Sequence, residues 1–534
     1  MGTGTSKINY NDFVPYKDLV NDLVYEINNF VHINKKRYKI DACLQSNDEI
    51  RLKFTENCFM PMKYDDILMS KCTKNQIVNG INEWQLILII YPVIKKRRRF
   101  VRVTLTFSCE DTAKYADKFI ATKITAAKAP HLITYVIRPR RHILVIVNPF
   151  SGQKRGLKLW ETHVEPILKI ANIDYDIVKT IHRKHAVEIA KNLILDNYDA
   201  VAAISGDGLI LEVISGLLMR QDRERALKMP LAHIPGGTSN GLAASICFQC
   251  NEPFSPRGIF CTEMAIMLAR PRYLPLRINH VQTEHDGSKA MFMSLTWGLI
   301  ADIDIGSERF RWAGMARLHM EAFLRVAKLP HVARYKGRIS YLPVLGNVLQ
   351  CPAKLWNDLE NYTKGHFEYR PVENFTDHEG SEAGGSISNS FSDIFRSDNL
   401  VQMPPLCEPV GSDWNMLEGY FVYVCLTSLS HLGSDVPYLP CARLDDDFLY
   451  LTYVDWSNVK SRFDFAKMML GINDCSHLTY SFLQIVPVRA CRVEPLGNSG
   501  GYIAIDGEPI TSGSAFQVMP TRHCATVIGR NRRC

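Results

Sequence analysis

Two short glycine-bearing turns constrain this chain more than any other feature. Ser205-Gly206-Asp207-Gly208 follows the apolar run Ala200-Val201-Ala202-Ala203-Ile204, and Pro235-Gly236-Gly237-Thr238-Ser239-Asn240 follows a second such run. Runs this short and this apolar suit strands buried on both faces. After the first turn Leu209, Ile210, Val213, Ile214 and Leu217 recur at helical spacing, so Asp207 sits where a strand ends and a helix begins. An open α/β sheet carries its chemistry there. Glycines let the backbone approach a ligand, and the free N–H groups of a helix start favour phosphate. A carboxylate at that point must do something other than hold phosphate.

The same alternation begins upstream. Ile143 to Val147 is a buried-strand run, and the polar loop Asn148-Pro149-Phe150-Ser151-Gly152-Gln153-Lys154-Arg155-Gly156 leads into a helix carrying Leu157, Trp160, Val164, Ile167 and Leu168. A strand through Tyr175 to Ile181 and a helix through Ala186 to Leu195 follow. Strands and helices in alternation predict a doubly wound, mostly parallel sheet over 141–271. The dinucleotide and Walker patterns are absent, so nucleotide recognition must rest on these loops.

The stretches SGDGLILEVISGLL and IPGGTSNGLAAS resemble the diacylglycerol-kinase-like lipid kinases, and within them are most similar to the sphingosine kinase branch. The resemblance covers about 142–345 and 418–520. It implies an α/β nucleotide-binding domain of the NAD-kinase and phosphofructokinase type, followed by a β-sandwich lipid-binding domain. It implies ATP and Mg2+ as cofactors, and transfer of phosphate to the primary hydroxyl of a sphingoid base. Asp207 matches the family's catalytic base, with Ser205, Gly206 and Gly208 on the substrate side of the same turn. Asn148, Pro149, Phe150, Thr180, Glu212, Gly237, Thr238 and Ser239 match nucleotide-side positions, although Phe150-Ser151-Gly152 stands where the family often has Arg-Gly-Gly. Arg311 and Arg317 match the triphosphate arginines, whose fork geometry suits phosphate. Asp506-Gly507-Glu508 matches a late acidic turn near nucleotide and magnesium, with Asp506 as the candidate metal ligand. Asp304 matches the head-group carboxylate that pairs with the sphingoid ammonium, and His431 a position beside the acyl-chain pocket. The alternatives are a ceramide or diacylglycerol kinase, a soluble-substrate relative of NAD kinase, and a catalytically silent binding module.

At 534 residues the chain exceeds one core and suggests three units and a linker. Residues 1–140 read as strands closed by a helix over Asp111 to Ala127, an element order that suits a pleckstrin-homology-type barrel. Residues 272–345 and 418–522 read as one β-rich domain. In it Ile300 to Ile305 alternates as a strand would, which puts Asp302 and Asp304 on one face, and the lipid tail is expected among Leu295, Trp297 and Leu299. The stretch 346–417, broken up by Asn, Glu, Ser, Gly and Pro and Ser/Gly-rich over Gly380 to Ser392, reads as a flexible insertion and 523–534 as a basic tail. Fifteen scattered cysteines indicate a reducing compartment, hence a cytoplasmic enzyme. Cys247-x-x-Cys250 and His182-x-x-His185 each lack a second pair for a metal site. A net charge of +8 is too diffuse for nucleic acid but suits an anionic surface. Lys95-Lys96-Arg97-Arg98-Arg99, set between two strands, is the candidate contact with an acidic membrane, and Met1 to Ser6 fits the minimal myristoylation pattern. The apolar run Leu86 to Ile94 is too short to span a bilayer. The sequence leaves a homodimer open.

Overall fold

Apolar runs without alternation become parallel strands, since only helices laid over both faces can bury them. In the computed structural model His142–Val147 pairs in parallel with Ala200–Ser205, and the latter with Leu231–Pro235; Asp174–Lys179 lies beyond His142–Val147. The structure describes residues 23–25, 30–46, 48–55, 58–74, 83–126, 128–132, 140–150, 155–254, 260–313, 316–328, 334–344, 391–395, 398–497 and 500–530. Helices Asp207–Leu218 and Gly241–Gln249 leave the two glycine turns as expected.

The chain divides into two compact units, one of Met1–Ala127, Glu161–Asp174 and Ala265–Pro271, the other of the remainder. In the first, one antiparallel sheet takes Leu23–Tyr25, Ala42–Gln45, Glu49–Thr55 and Cys58–Lys63. A second takes Lys36–Lys39, Phe30–Ile33, Val101–Phe107, Trp84–Ile90 and Ile67–Lys74. Helix Glu110–Ile124 adds Ala113, Ala116 and Ile120 to the core the two sheets share. The basic run forms the hairpin Val93–Ile94/Arg97–Arg98, with Lys95 and Lys96 at positive φ in its turn. Lys95, Lys96 and Arg97 are exposed, whereas Arg98 is buried and ion-paired to Asp66. The five-residue run is therefore three surface cations, an internal strut and a half-buried Arg99.

In the second unit the parallel sheet continues into antiparallel strands through one pair, Leu231 opposite Val527. Strand Phe516–Gly529 also pairs with Arg272–Thr283 and Leu483–Pro495, and the sheet runs on through Tyr335–Pro343, Asn415–Thr427, Ser294–Gly298 and Ile503–Ile505. The expected basic tail is thus mostly strand: Ala525, Val527 and Ile528 are buried, and so is Arg530, 3.6 Å from Glu252. The polar residues Arg522, His523 and Arg530 flank a largely apolar, buried run. Residues 531–534 lie outside the described residues.

Two more expectations change. Ile300 to Ile305 is not a strand but part of helix Leu299–Gly306. Gly298, at φ 85°, ends the strand before it, and a side chain there would meet the Tyr335 ring at 2.7 Å. A short apolar run cannot by itself choose between the two periods. The insertion also proves docked where it is described. Ile394 and Phe395 of helix Phe391–Phe395 are buried, Asp398 pairs with Arg522 and His523, and Arg492 donates to the carbonyls of Pro404, Pro405 and Glu408. Strand Asn415–Thr427 starts inside the range assigned to the insertion.

Candidate active site

The two glycine turns are built against each other. The Gly236 N–H donates to the Ser205 carbonyl at 2.9 Å, and a Cβ on Gly237 would lie 2.3 Å from the Gly206 Cα. Only glycine permits that approach. Asn240, left-handed at φ 53°, closes the second turn: its side chain accepts from the Gly237 N–H at 3.0 Å and donates to the Gly237 carbonyl at 2.9 Å. Asp207 then joins the two turns. Its carboxylate accepts the N–H groups of Gly241 and Leu242 at 2.9 Å each, capping the neighbouring helix. Beneath it His233 is fully buried, its Nε2 3.1 Å from the Ser205 carbonyl and its Nδ1 3.7 Å from Asp207 Oδ1. Burial holds the imidazole below its ordinary range, against the pull of Asp207, so it is neutral.

Asp506 and Gly507, both at positive φ, turn the chain between Ile503–Ile505 and Glu508–Ile510. Asp506 accepts the N–H groups of Phe292, Met293 and Ser294 at 3.0, 3.0 and 2.8 Å. Burial pushes its carboxyl up to about 7; those amides oppose the rise and the Asp207 charge adds to it. Glu212 accepts from the N–H groups of Lys184 and Ala186, so it holds the loop that presents Arg183. Burial raises Glu212 above its ordinary range. Arg183 in turn forms an ion pair of 2.5 Å with Glu508.

These groups line one end of a continuous cavity of about 1000 Å³ within the second unit. Asn148, Phe150, Thr238 and Ser239 complete the polar end, while Ile300, Ile303, Phe323, Val326, Met469 and Ile472 line an apolar arm. Asp304 stands on the wall, half-buried. Burial pushes its carboxyl up to about 6; Arg317 opposes this, and Glu308 and Glu508 reinforce it. Because the segment is helical, Asp302 lies some 200° round from Asp304. It is bound into the fold by Tyr335, Arg325 and the Tyr502 N–H, and the ambiguity between the two acids disappears.

The cavity wall thus brings together Asn148, Phe150, Ser205 to Gly208, Glu212, Gly237 to Ser239, Asp304, Arg317 and Asp506 to Glu508. Arg317 is buried and paired with Glu308; the side chain of Arg311 lies outside the described residues, as do Met1 to Ser6. Pro149 and Thr180 are not on the wall: Thr180 is buried, with its N–H on the Val147 carbonyl. His431 is also off it, packed on Phe248 and Phe254 with Nδ1 2.9 Å from Ser430 Oγ, and burial pushes it down to about 4. Its neighbours Leu432 and Gly433 line the cavity instead. Leu295, Trp297 and Leu299, expected round a lipid tail, are core residues with no exposed surface. The sequence reading missed Arg183, Asp435 and the apolar faces of helices Ala316–Ala327 and Arg462–Leu470. Helical spacing at Phe323, Val326, Ala466 and Met469 was the available signal.

Residues 142–258 match the family model for the diacylglycerol kinase catalytic domain. The chain is 32% identical over 378 residues to a protein named sphingosine kinase 1 from Homo sapiens, an overlap of 70% of this chain and 87% of that one. It is 30% identical over 392 residues to sphingosine kinase 1 of Arabidopsis thaliana, covering 72% and 71% of the two chains. To sphingosine kinase 1 of Caenorhabditis elegans it is 28% identical over 401 residues, covering 73% and 81%.

Proposed function

The chain belongs to the sphingosine kinase family, and on that premise we propose that it transfers the γ-phosphoryl group of ATP to the primary hydroxyl of a sphingoid base. The observation that carries this reading is the single cavity running from two interlocked glycine turns, past Asp207, into an apolar arm. The α/β segment 141–271 takes the nucleotide and the β-rich segments 272–345 and 418–522 take the lipid. Thr238 and Ser239 meet phosphate oxygens with amides and hydroxyls, and Arg183 and Arg317 supply positive charge as the phosphoryl group moves. The substrate oxygen forms its bond to the γ-phosphorus as the bond to ADP breaks, and its proton passes to Asp207. Asp304 receives the ammonium beside that hydroxyl. In the apolar arm each buried methylene of the tail contributes roughly 0.8 kcal/mol.

The residues present fit a magnesium ion. A carboxylate offers about four lone-pair positions, and amides take two on Asp207 and three on Asp506. Both keep an acceptor, and the ion they would hold beside the phosphates neutralises charge there.

No helix among the described residues is long and apolar enough to cross a membrane. Lys95, Lys96 and Arg97 are read as the peripheral contact that brings this enzyme to anionic cytoplasmic surfaces. Incubation with ATP, magnesium and sphingosine, ceramide or diacylglycerol tests the assignment. A phosphorylated product from sphingosine is expected; comparable kcat/KM for ceramide or diacylglycerol overturns it.

A further inference from the structure

The acids on the cavity wall are nearly all engaged. Backbone amides hold Asp207, Glu212 and Asp506, while arginines hold Glu308 and Glu508. Among these acids, the carboxylates of Asp304 and Asp435 accept no hydrogen bond from the described residues. Asp435 is 8% exposed, lines the cavity, and has an Oδ1 sealed from solvent without a donor. It lies in the turn between strands His431–Gly433 and Val436–Pro437, and the adjacent Ser434 N–H fastens that turn to the Ser239 carbonyl at 2.6 Å. Asp435 therefore stands where the second glycine turn meets the apolar arm, followed along the wall by Val436 and Tyr438.

A buried carboxylate oxygen without a donor is costly, and the cavity is where a donor can arrive. Oδ1 is the sealed oxygen, so Oδ2 is the one that can meet a donor from the cavity. A sphingoid base carries three polar groups on consecutive carbons: the primary hydroxyl, the ammonium, and a secondary hydroxyl at C3 on the side of the tail. With the first at Asp207 and the second at Asp304, one donor and one acceptor remain. We propose that Asp435 accepts a hydrogen bond from the C3 hydroxyl, which makes it a specificity-determining residue that separates 1,3-diol bases from 3-deoxy bases. The inference rests on the sphingoid-base reading above.

The test compares sphinganine with 2-aminooctadecan-1-ol, which has the same chain and amine but no C3 hydroxyl. A site built to bond a hydroxyl discriminates strongly against the analogue lacking it. The parent enzyme is expected to favour sphinganine by about tenfold to a hundredfold in kcat/KM, as for one hydrogen bond to a charged group. Asp435→Ala should bring that ratio to within about threefold, by loss on sphinganine alone, and Asp435→Asn, which keeps a carbonyl acceptor, should fall between. Neither variant should lower the Tm of the ligand-free protein, since no partner is lost. Equal losses on both lipids, an unchanged ratio, no parental preference, or a lowered Tm overturns the inference. A parent enzyme that phosphorylates neither lipid overturns the functional reading and the inference with it.

Discussion

The two ends of the cavity are made from different materials. The polar end is backbone: two glycine turns some thirty residues apart, an asparagine latch, and carboxylates that cap amides. The apolar end is side chain, assembled from helices Leu299–Gly306, Ala316–Ala327 and Arg462–Leu470 with the turn near Leu432. Backbone chemistry requires particular residues at particular positions, whereas an apolar wall requires only volume and hydrophobicity. Substitutions at the first end should be all-or-none in effect and those at the second graded.

The sharpest way to break that contrast is at Asp207. Asp207→Asn should lower kcat by about 10²–10⁴-fold and also lower Tm, because an amide offers one oxygen to the two N–H groups that Asp207 serves. Steady-state kinetics beside a thermal melt checks both, and turnover within threefold of the parent would remove Asp207 as the base.

Asp304 stands between the two ends and should behave as a charge. Its carboxyl, pushed up to about 6, must be ionised to hold an ammonium, so kcat/KM for sphingosine should fall as pH drops below about 6. Asp304→Asn should lower kcat/KM by about 10–100-fold above pH 7 and flatten that limb. The stability of the ligand-free enzyme runs the other way. A carboxyl raised from 3.8 to about 6 leaves the unfolded chain with fewer bound protons between those values, so stability falls as pH rises through that window, and Asp304→Asn removes this part of the slope. Melts recorded from pH 4 to 7 measure it.

At the apolar end, Ile303→Ala or Met469→Ala should raise KM for sphingosine only severalfold, consistent with roughly 0.8 kcal/mol per methylene, with nucleotide affinity untouched. A loss of nucleotide binding in either variant would show that the two ends are not separable. The smallest effect is expected outside the cavity. Replacing Lys95, Lys96 and Arg97 with alanine should weaken sedimentation with anionic vesicles, at about 1 kcal/mol per cation, and leave turnover of detergent-dispersed sphingosine unchanged. Arg98 is excluded because its loss would remove the buried ion pair with Asp66.

The same division explains what could be read in advance. The glycine turns, the parallel strands and the position of Asp207 were legible because each depends on residues within a few positions of one another. Asp302 and Asp304 were placed on one face because the switch from strand to helix is made at Gly298 by its packing against Tyr335, 37 residues on in the sequence. Leu295 and Trp297 were assigned to the lipid since apolarity does not distinguish a core strand from a cavity wall; every residue of Ser294–Gly298 is buried. His431 was drawn to the site by its neighbours, which do line it. The segment around Asp398 looked flexible because the groups that fix it, Arg522 and His523, lie more than a hundred residues away. A cut through 353–412 would take Asp398 from Arg522 and His523, and the carbonyls of Pro404, Pro405 and Glu408 from Arg492.

The pairing of Leu231 with Val527 carries a consequence for the birth of the protein. The strand that covers the edge of the parallel sheet is translated about 300 residues after the strand it covers. At about 5–20 residues per second, the nascent chain holds a half-finished nucleotide fold with a bare, apolar strand edge for about 15–60 s. Such an edge is a template for pairing with other chains. A ribosome stalled before residue 516 should therefore yield a chain more prone to aggregation than the full-length protein.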